Sequence, residues 1–124
     1  MDQLMSEINK LTDNNQKVIG VEKDERKTFE LYLKDDEMGN AAGTCNVGNC
    51  YNYGIRVERD LFKAFFYYQK SAELGDAAGT CNFGYCYELG ISVETNIRKA
   101  HMYYQKAAKM GDTFALGRWG MLKE

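Results

Sequence analysis

Apolar residues in this chain recur at helical spacing in short blocks, and glycine closes each block. Phe65, Tyr68 and Ala72 stand at i, i+3 and i+7, and Ala100, Tyr104 and Ala108 at i, i+4 and i+8. Both spacings put apolar side chains on one face of an α-helix. Two kinds of helix are predicted. The first kind runs from Ala41 to about Tyr53 and again from Ala77 to about Leu89. Asn40, Asp76 and Asp112 stand just ahead of such helices, where a side-chain oxygen can accept a free backbone N–H. Gly54 and Gly90 close them, as glycines tolerant of positive φ do. The second kind begins at Asp24, Asp60 or Asn96, runs to Met38, Leu74 or Met110, and stops at Gly39, Gly75 or Gly111. Such short links make consecutive helices antiparallel neighbours. The chain has no proline, which suits uninterrupted helices.

The pattern repeats every 36 residues. Ala41-Ala42-Gly43-Thr44-Cys45-Asn46 returns letter for letter as Ala77-Ala78-Gly79-Thr80-Cys81-Asn82. The register holds through Gly48/Gly84, Cys50/Cys86, Tyr51/Tyr87, Gly54/Gly90, Lys63/Lys99, Tyr67/Tyr103, Tyr68/Tyr104 and Ala72/Ala108. A fixed period of this size marks a stack of supersecondary units. The expected fold is therefore all-α: a right-handed superhelix of antiparallel helix pairs, seven helices in one domain over residues 1–124. Residues 1–38 read as a divergent N-terminal repeat, 41–76 and 77–112 as full repeats, and 113–124 as a half-repeat. Ile19–Asp24 matches Ile55–Asp60, so Asp24–Met38 is a second-type helix. Leu4, Ile8 and Leu11 suit its partner within residues 1–14. Trp119 takes the place of Phe83, and Gly120 that of Gly84.

Two local features set further expectations. Gly48 and Gly84 lie mid-helix, where glycine costs about 1 kcal/mol relative to alanine. The recurring cost predicts a neighbouring aromatic lying against the bare backbone. Asp35 and Asp36 fall where the other copies have Ser71-Ala72 and Ala107-Ala108. Two carboxylates near a helix C-terminus oppose the macrodipole, so that corner is expected to be solvent-exposed, with a cationic partner as the alternative.

Composition narrows the class. The chain has 16 basic and 18 acidic residues, a balance that argues against nucleic acid. The charge is uneven: −4 over residues 1–40 and +2 over 77–124. This asymmetry reads as solvated surface, with a head-to-tail contact between molecules as the alternative. No apolar run approaches the roughly 20 residues that span a bilayer, and no signal peptide is visible at the N-terminus. Cys45, Cys50, Cys81 and Cys86 pair at i, i+5, which points the two side chains of a helix apart. Equivalent cysteines one repeat apart are expected roughly 9–10 Å from each other, too far to bridge. They read as buried, reduced core residues, with a four-cysteine metal site as a poor alternative because CxxC spacing is missing. Reduced cysteines point to the cytosol or nucleus, and a cytoplasmic location is expected.

This pattern resembles the Sel-one-like repeat (SLR), a relative of the tetratricopeptide repeat. The middle copy carries Ala77, Gly79, Phe83-Gly84, Tyr87, Gly90, Val93, Lys99-Ala100, Tyr104-Gln105-Lys106, Ala108 and Gly111 in the family's order. The resemblance covers about residues 18–122. It implies an α-solenoid adaptor that holds other proteins together. Secreted, cysteine-rich members pair a first-helix cysteine with one late in the second helix. Ala72 and Ala108 stand in that later region here, so that disulfide pattern is missing. The glycine that commonly follows the loop's first apolar residue is kept as Gly20 but becomes Arg56 and Ser92, a change expected to alter the loop backbone slightly.

The residues offer no catalytic set. His101, the sole histidine, lies on a different helix from Cys81 and Cys86. No phosphate-cradling glycine string occurs. An enzyme is therefore not expected, nor a cofactor. Tyr51/Tyr87 and Tyr68/Tyr104 recur with the period and read as packing. Positions that change between copies are more informative: Asn49 against Tyr85, and Asn52-Tyr53 against Glu88-Leu89. In related solenoids the first helices line the concave surface. There Ala42, Asn46 and Asn49 share one face, with Ala78, Asn82 and Tyr85 as counterparts. Amides can hydrogen-bond an extended peptide, and a tyrosine can anchor it. The expected function is a non-catalytic protein–protein interaction scaffold. It would bind a protein or peptide segment through Asn46, Asn49, Asn82 and Tyr85. The alternative is a self-assembling module, joined through the repeat ends or Trp119, or a regulatory segment of a larger signalling protein.

Overall fold

Side-chain caps and left-handed glycines set the helix boundaries in the computed structural model, which describes residues 27–123. Helix α1 covers residues 27–37. It is followed by α2 (Ala41–Tyr53), α3 (Leu61–Glu73), α4 (Ala77–Leu89), α5 (Ile97–Lys109) and α6 (Thr113–Lys123). Asn40 Oδ1 accepts the N–H groups of Ala42 and Gly43 at 3.0 and 3.2 Å. Asp60, Asp76, Asn96 and Asp112 cap the next four helices in the same way, at 2.7–3.1 Å. Each bond satisfies a donor that the helix itself leaves free. Gly54 and Gly90 sit at φ 67° and 74°, and each N–H returns to the carbonyl of a cysteine four residues back. All six described elements are helices. The expected seventh, within residues 1–14, and the Ile19–Asp24 match lie outside the described residues.

Each helix from α2 onward packs on its neighbour in the chain, and α2 also touches α4. Helices α3 and α5 make no comparable contact. The α2–α4 approach is not repeated between α4 and α6. Within a repeat the close approach is made at glycine. A Cβ on Gly48 would stand 2.8 Å from the Tyr68 ring, and one on Gly84 would stand 3.2 Å from the Tyr104 ring. The expected contact between an aromatic and bare backbone is present in both copies.

The core falls into two clusters in register. Cys45, Ala64, Tyr68, Phe83 and Cys86 form one, and Cys81, Ala100, Tyr104, Ala107 and Ala115 the other. Stacked tyrosine pairs, Tyr51–Tyr67 and Tyr87–Tyr103, flank them with ring centroids 5.7 and 5.8 Å apart. All four cysteines are buried free thiols.

Two expectations need correction. Asp36 is not exposed, and the alternative of a cationic partner holds: it accepts hydrogen bonds from Thr44 Oγ1 at 2.8 Å and from Lys70 Nζ at 2.8 Å. Asp35 is half-buried beside Gly43. Lys and Thr recur at these register positions in the next repeat (Lys106, Thr80), so the scaffold presents a ready cation and hydroxyl to a carboxylate placed there. The charge-assisted bonds offset the unfavourable end of the dipole. The second correction concerns the loop. Arg56 and Ser92 adopt φ 62° and 61°, the left-handed conformation that a glycine would take. The backbone is kept and the side chains bear the strain, of order 1 kcal/mol each.

Candidate protein-binding face

The first-helix side carries a ladder of polar and aromatic residues at 36-residue intervals. Asn46 on α2, Asn82 on α4 and Arg118 on α6 occupy one register position, and Asn49 and Tyr85 occupy another. In the gap between α2 and α4 the ladder is amide. Asn49 Oδ1 accepts the hydroxyl of Tyr68 at 2.7 Å and the Asn82 amide at 3.4 Å. The same amide reaches Cys45 Sγ at 3.4 Å. Asn46, Asn49 and Asn82 are half-buried, and the bonds of Asn49 and Asn82 turn into the protein. The structure thus brings Asn49 and Asn82 into contact, with Asn46 one turn before Asn49 on α2 and Tyr85 one turn after Asn82 on α4.

The gap between α4 and α6 is built differently. Arg118 pairs with Glu88 at 2.7 Å. Its guanidinium lies 6.0 Å from the Tyr85 ring centroid and 5.9 Å from that of Phe114. Tyr104 is the register equivalent of Tyr68, but its counterpart to Asn49 is Tyr85. The Tyr104 hydroxyl is fully buried; Arg118, a donor, is the polar side chain beside it, and among the described residues no acceptor takes its proton. Burial pushes this hydroxyl up from the ordinary tyrosine range, with Glu88 adding to the effect. It therefore stays protonated, a donor with no acceptor. Such a group costs about 1–3 kcal/mol.

Tyr85 also forms part of a groove of about 340 Å³ with Asn52, Tyr53, Arg59, Leu89 and Ile91. Tyr53 and Leu89, both flagged by their failure to repeat, are 67% and 53% exposed. Asn52 is buried instead, its carbonyl accepting Arg59 Nε at 2.9 Å. Arg59 and Arg118 were missed by sequence reasoning. Their signal was present: Arg59 aligns with Thr95, and Arg118 with Asn46 and Asn82. A second cleft, about 440 Å³, lies among Tyr51, Val57, Glu58, Arg59, Asp60 and Lys63. Its Lys63–Tyr51 contact at 5.2 Å recurs as Lys99–Tyr87 at 5.2 Å, which marks that contact as scaffold.

Other candidate chemistry is quenched by burial. Burial, followed by the charge of Asp76, pushes the Cys45 thiol up to about 11. Burial and Asp112 push Cys81 up to about 12, and burial alone takes Cys86 to about 12. Cys50 moves in the same direction. None offers a thiolate at neutral pH. Among the described residues no group of three His, Cys, Asp or Glu side chains could hold a metal ion. His101 is half-buried against Trp119, with ring centroids 6.1 Å apart. Trp119 packs on the second core cluster.

The Sel1 repeat model matches residues 17–34, 41–76 and 77–112, most of the chain. The chain belongs to the Sel1 repeat family. It is 30% identical to a Sel1 repeat protein from Oxalobacter formigenes, with a TM-score of 0.71, over 76% of this chain and 38% of that one. It is 32% identical to the Helicobacter pylori cysteine rich protein B, with a TM-score of 0.67, over 72% of this chain and 67% of that one. The chain thus spans well under half the length of the first relative. An antigen of uropathogenic Escherichia coli displaying an SLR fold shares the architecture at 24% identity and a TM-score of 0.74, over 79% of this chain and 21% of that one. No curated protein matches the sequence. Sel1 repeat proteins are generally protein–protein interaction scaffolds and typically non-catalytic. No helix among the described residues is long and apolar enough to cross a membrane.

Proposed function

We propose that this chain is a cytoplasmic, non-catalytic adaptor, a single domain over residues 1–124, that binds a protein or peptide segment on its concave first-helix face. Tyr85 is the anchor, and Asn46, Asn49 and Asn82 are the polar flank that holds the face in shape. The observation that carries this reading is the stranded hydroxyl of Tyr104. The preceding repeat solves the same packing problem with an asparagine, Asn49, which accepts the hydroxyl of Tyr68. Tyr85 stands where that asparagine would be. A residue that costs its own fold a buried hydrogen bond, and that lines a groove, is accounted for by a task outside the fold.

The test is to select short peptides from a random display library on the wild-type protein. Tyr85→Asn should weaken the selected binders by about tenfold or more while raising the melting temperature. Undiminished binding by folded Tyr85→Asn and Asn46→Ala/Asn82→Ala proteins would overturn the reading.

A second reading, self-assembly through the repeat ends, draws support from α6. Phe114 and Leu116 are 59% and 56% exposed there, and the two ends of the chain differ in charge. Light scattering decides it. A mass that rises with concentration and falls back in Phe114→Ser supports assembly, and a constant monomer mass overturns it.

A further inference from the structure

We infer that the groove beside Tyr85 takes a segment in which a large apolar side chain is followed or preceded by an acidic one, Arg59 receiving the carboxylate. The inference rests on the reading of this face as the binding face. Four of the six groove residues, Tyr53, Tyr85, Leu89 and Ile91, present aromatic or aliphatic surface. The volume of about 340 Å³ lies at the low end for a ligand site and suits one large side chain rather than a folded element.

The charge at the groove is unbalanced. Arg118, the cation of the neighbouring gap, is already paired with Glu88 at 2.7 Å. Arg59 makes no ion pair among the described residues. Its Nε donates to the Asn52 carbonyl at 2.9 Å. That bond fixes the plane of the guanidinium and leaves its two terminal nitrogens as a fork. A fork of this kind suits a carboxylate, which it can hold through two parallel bonds. No carboxylate lines this groove, and Glu58 and Asp60, which share the second cleft with Arg59, make no ion pair with it. Charge complementarity therefore selects an acidic partner, and the apolar walls require a bulky neighbour beside the acid. Among the described residues the feature occurs once: the register equivalents of Arg59 and Tyr53 in the next repeat are Thr95 and Leu89. This groove reads one such pair, and affinity for a single short segment should be modest.

The experiment uses the full chain and an array of acetylated, amidated Gly/Ser-framed peptides in which two adjacent central residues vary over all pairs. Pairs joining Phe, Leu or Trp to Asp or Glu should bind most tightly. Exchanging the acid for its amide should weaken binding about tenfold, as should added salt. Arg59→Thr, which installs the residue of the next repeat, should abolish the preference for acid and leave weaker apolar binding. Tyr85→Asn should remove both. Equal binding of acid and amide by the wild type, or an acid preference that survives in Arg59→Thr, overturns this inference and leaves the binding face standing. Binding that persists in folded Tyr85→Asn overturns the binding face itself, and an array without binders overturns both. If Arg59→Thr instead weakens self-association measured without peptide, the occupant is a second copy and the inference fails.

Discussion

Tyr68 and Tyr104 occupy the same position in consecutive repeats, both fully buried, both lying against a mid-helix glycine. One hydroxyl is bonded to Asn49 at 2.7 Å, and the other finds no acceptor among the described residues. The difference is not in the tyrosines or in the helices that carry them. It lies in one residue on the facing helix, Asn49 in one copy and Tyr85 in the other. The repeat thus supplies its own control: the copy with asparagine shows what the scaffold prefers, and the copy with tyrosine shows where that preference is overridden. The gap between α2 and α4 closes with amides, and the gap between α4 and α6 closes with an Arg118–Glu88 pair and two aromatic rings. The groove opens on the first gap, between Asn52 and Tyr53 of α2 and Tyr85 and Leu89 of α4.

Substitutions at matched positions turn this comparison into measurements by urea unfolding. The largest effect is expected at the glycines. Gly48→Ala forces a methyl to 2.8 Å from a buried ring and should destabilise by about 2–3 kcal/mol. Gly84→Ala meets its nearest neighbours at 3.1–3.2 Å and should cost about 1 kcal/mol. Equal costs would mean that the two repeats are packed alike.

The tyrosines come next. Tyr68→Phe removes a hydrogen bond that is made and should cost about 1.5 kcal/mol. Tyr104→Phe removes a hydroxyl whose proton has no acceptor among the described residues and should be neutral or stabilising. A loss at Tyr104 equal to that at Tyr68 would show that its hydroxyl is satisfied in solution, and would remove the main support for the proposed anchor.

Tyr85→Asn should follow with a gain of about 1 kcal/mol, provided the new amide reaches Tyr104 as Asn49 reaches Tyr68. A thermal melt that does not rise breaks the parallel. The smallest effects are expected at the loops. Arg56→Gly and Ser92→Gly should each stabilise by about 0.5–1 kcal/mol, because a left-handed residue without Cβ is unstrained. The two loops share one conformation, so their gains should match. A mismatch would show that the side chains do more than bear strain.

Much of the fold was legible because capping residues and glycines act locally. Asn40, Asp60, Asp76, Asn96 and Asp112 accept backbone N–H groups within their own first turn, and Gly54 and Gly90 need only their own φ. The face was partly legible. Asn49 against Tyr85 could be seen as a mismatch between copies, and so could Tyr53 against Leu89. Arg118 was harder to read, since it lies in a half-repeat whose alignment rests on Trp119 and Gly120. The sequence leaves Asp36 between exposure and a cationic partner, because Thr44 and Lys70 are brought to it from two other helices. The bonds of Asn49 and Asn82, to Tyr68, to Cys45 and to each other, were not legible, since they join helices far apart in the chain.

The sequence by itself determined the period, the helix ends, the packing glycines and the family, because each depends on contacts within a turn or on a pattern repeated in register. Only the tertiary structure decided which polar groups are satisfied. Hydrogen bonding across helices depends on distances of a few tenths of an ångström between residues far apart in the chain, and a register alignment does not contain those distances. So the 36-residue repeat could mark Tyr85 as different. The burial of Tyr104 beside it was needed to show that the difference carries a cost.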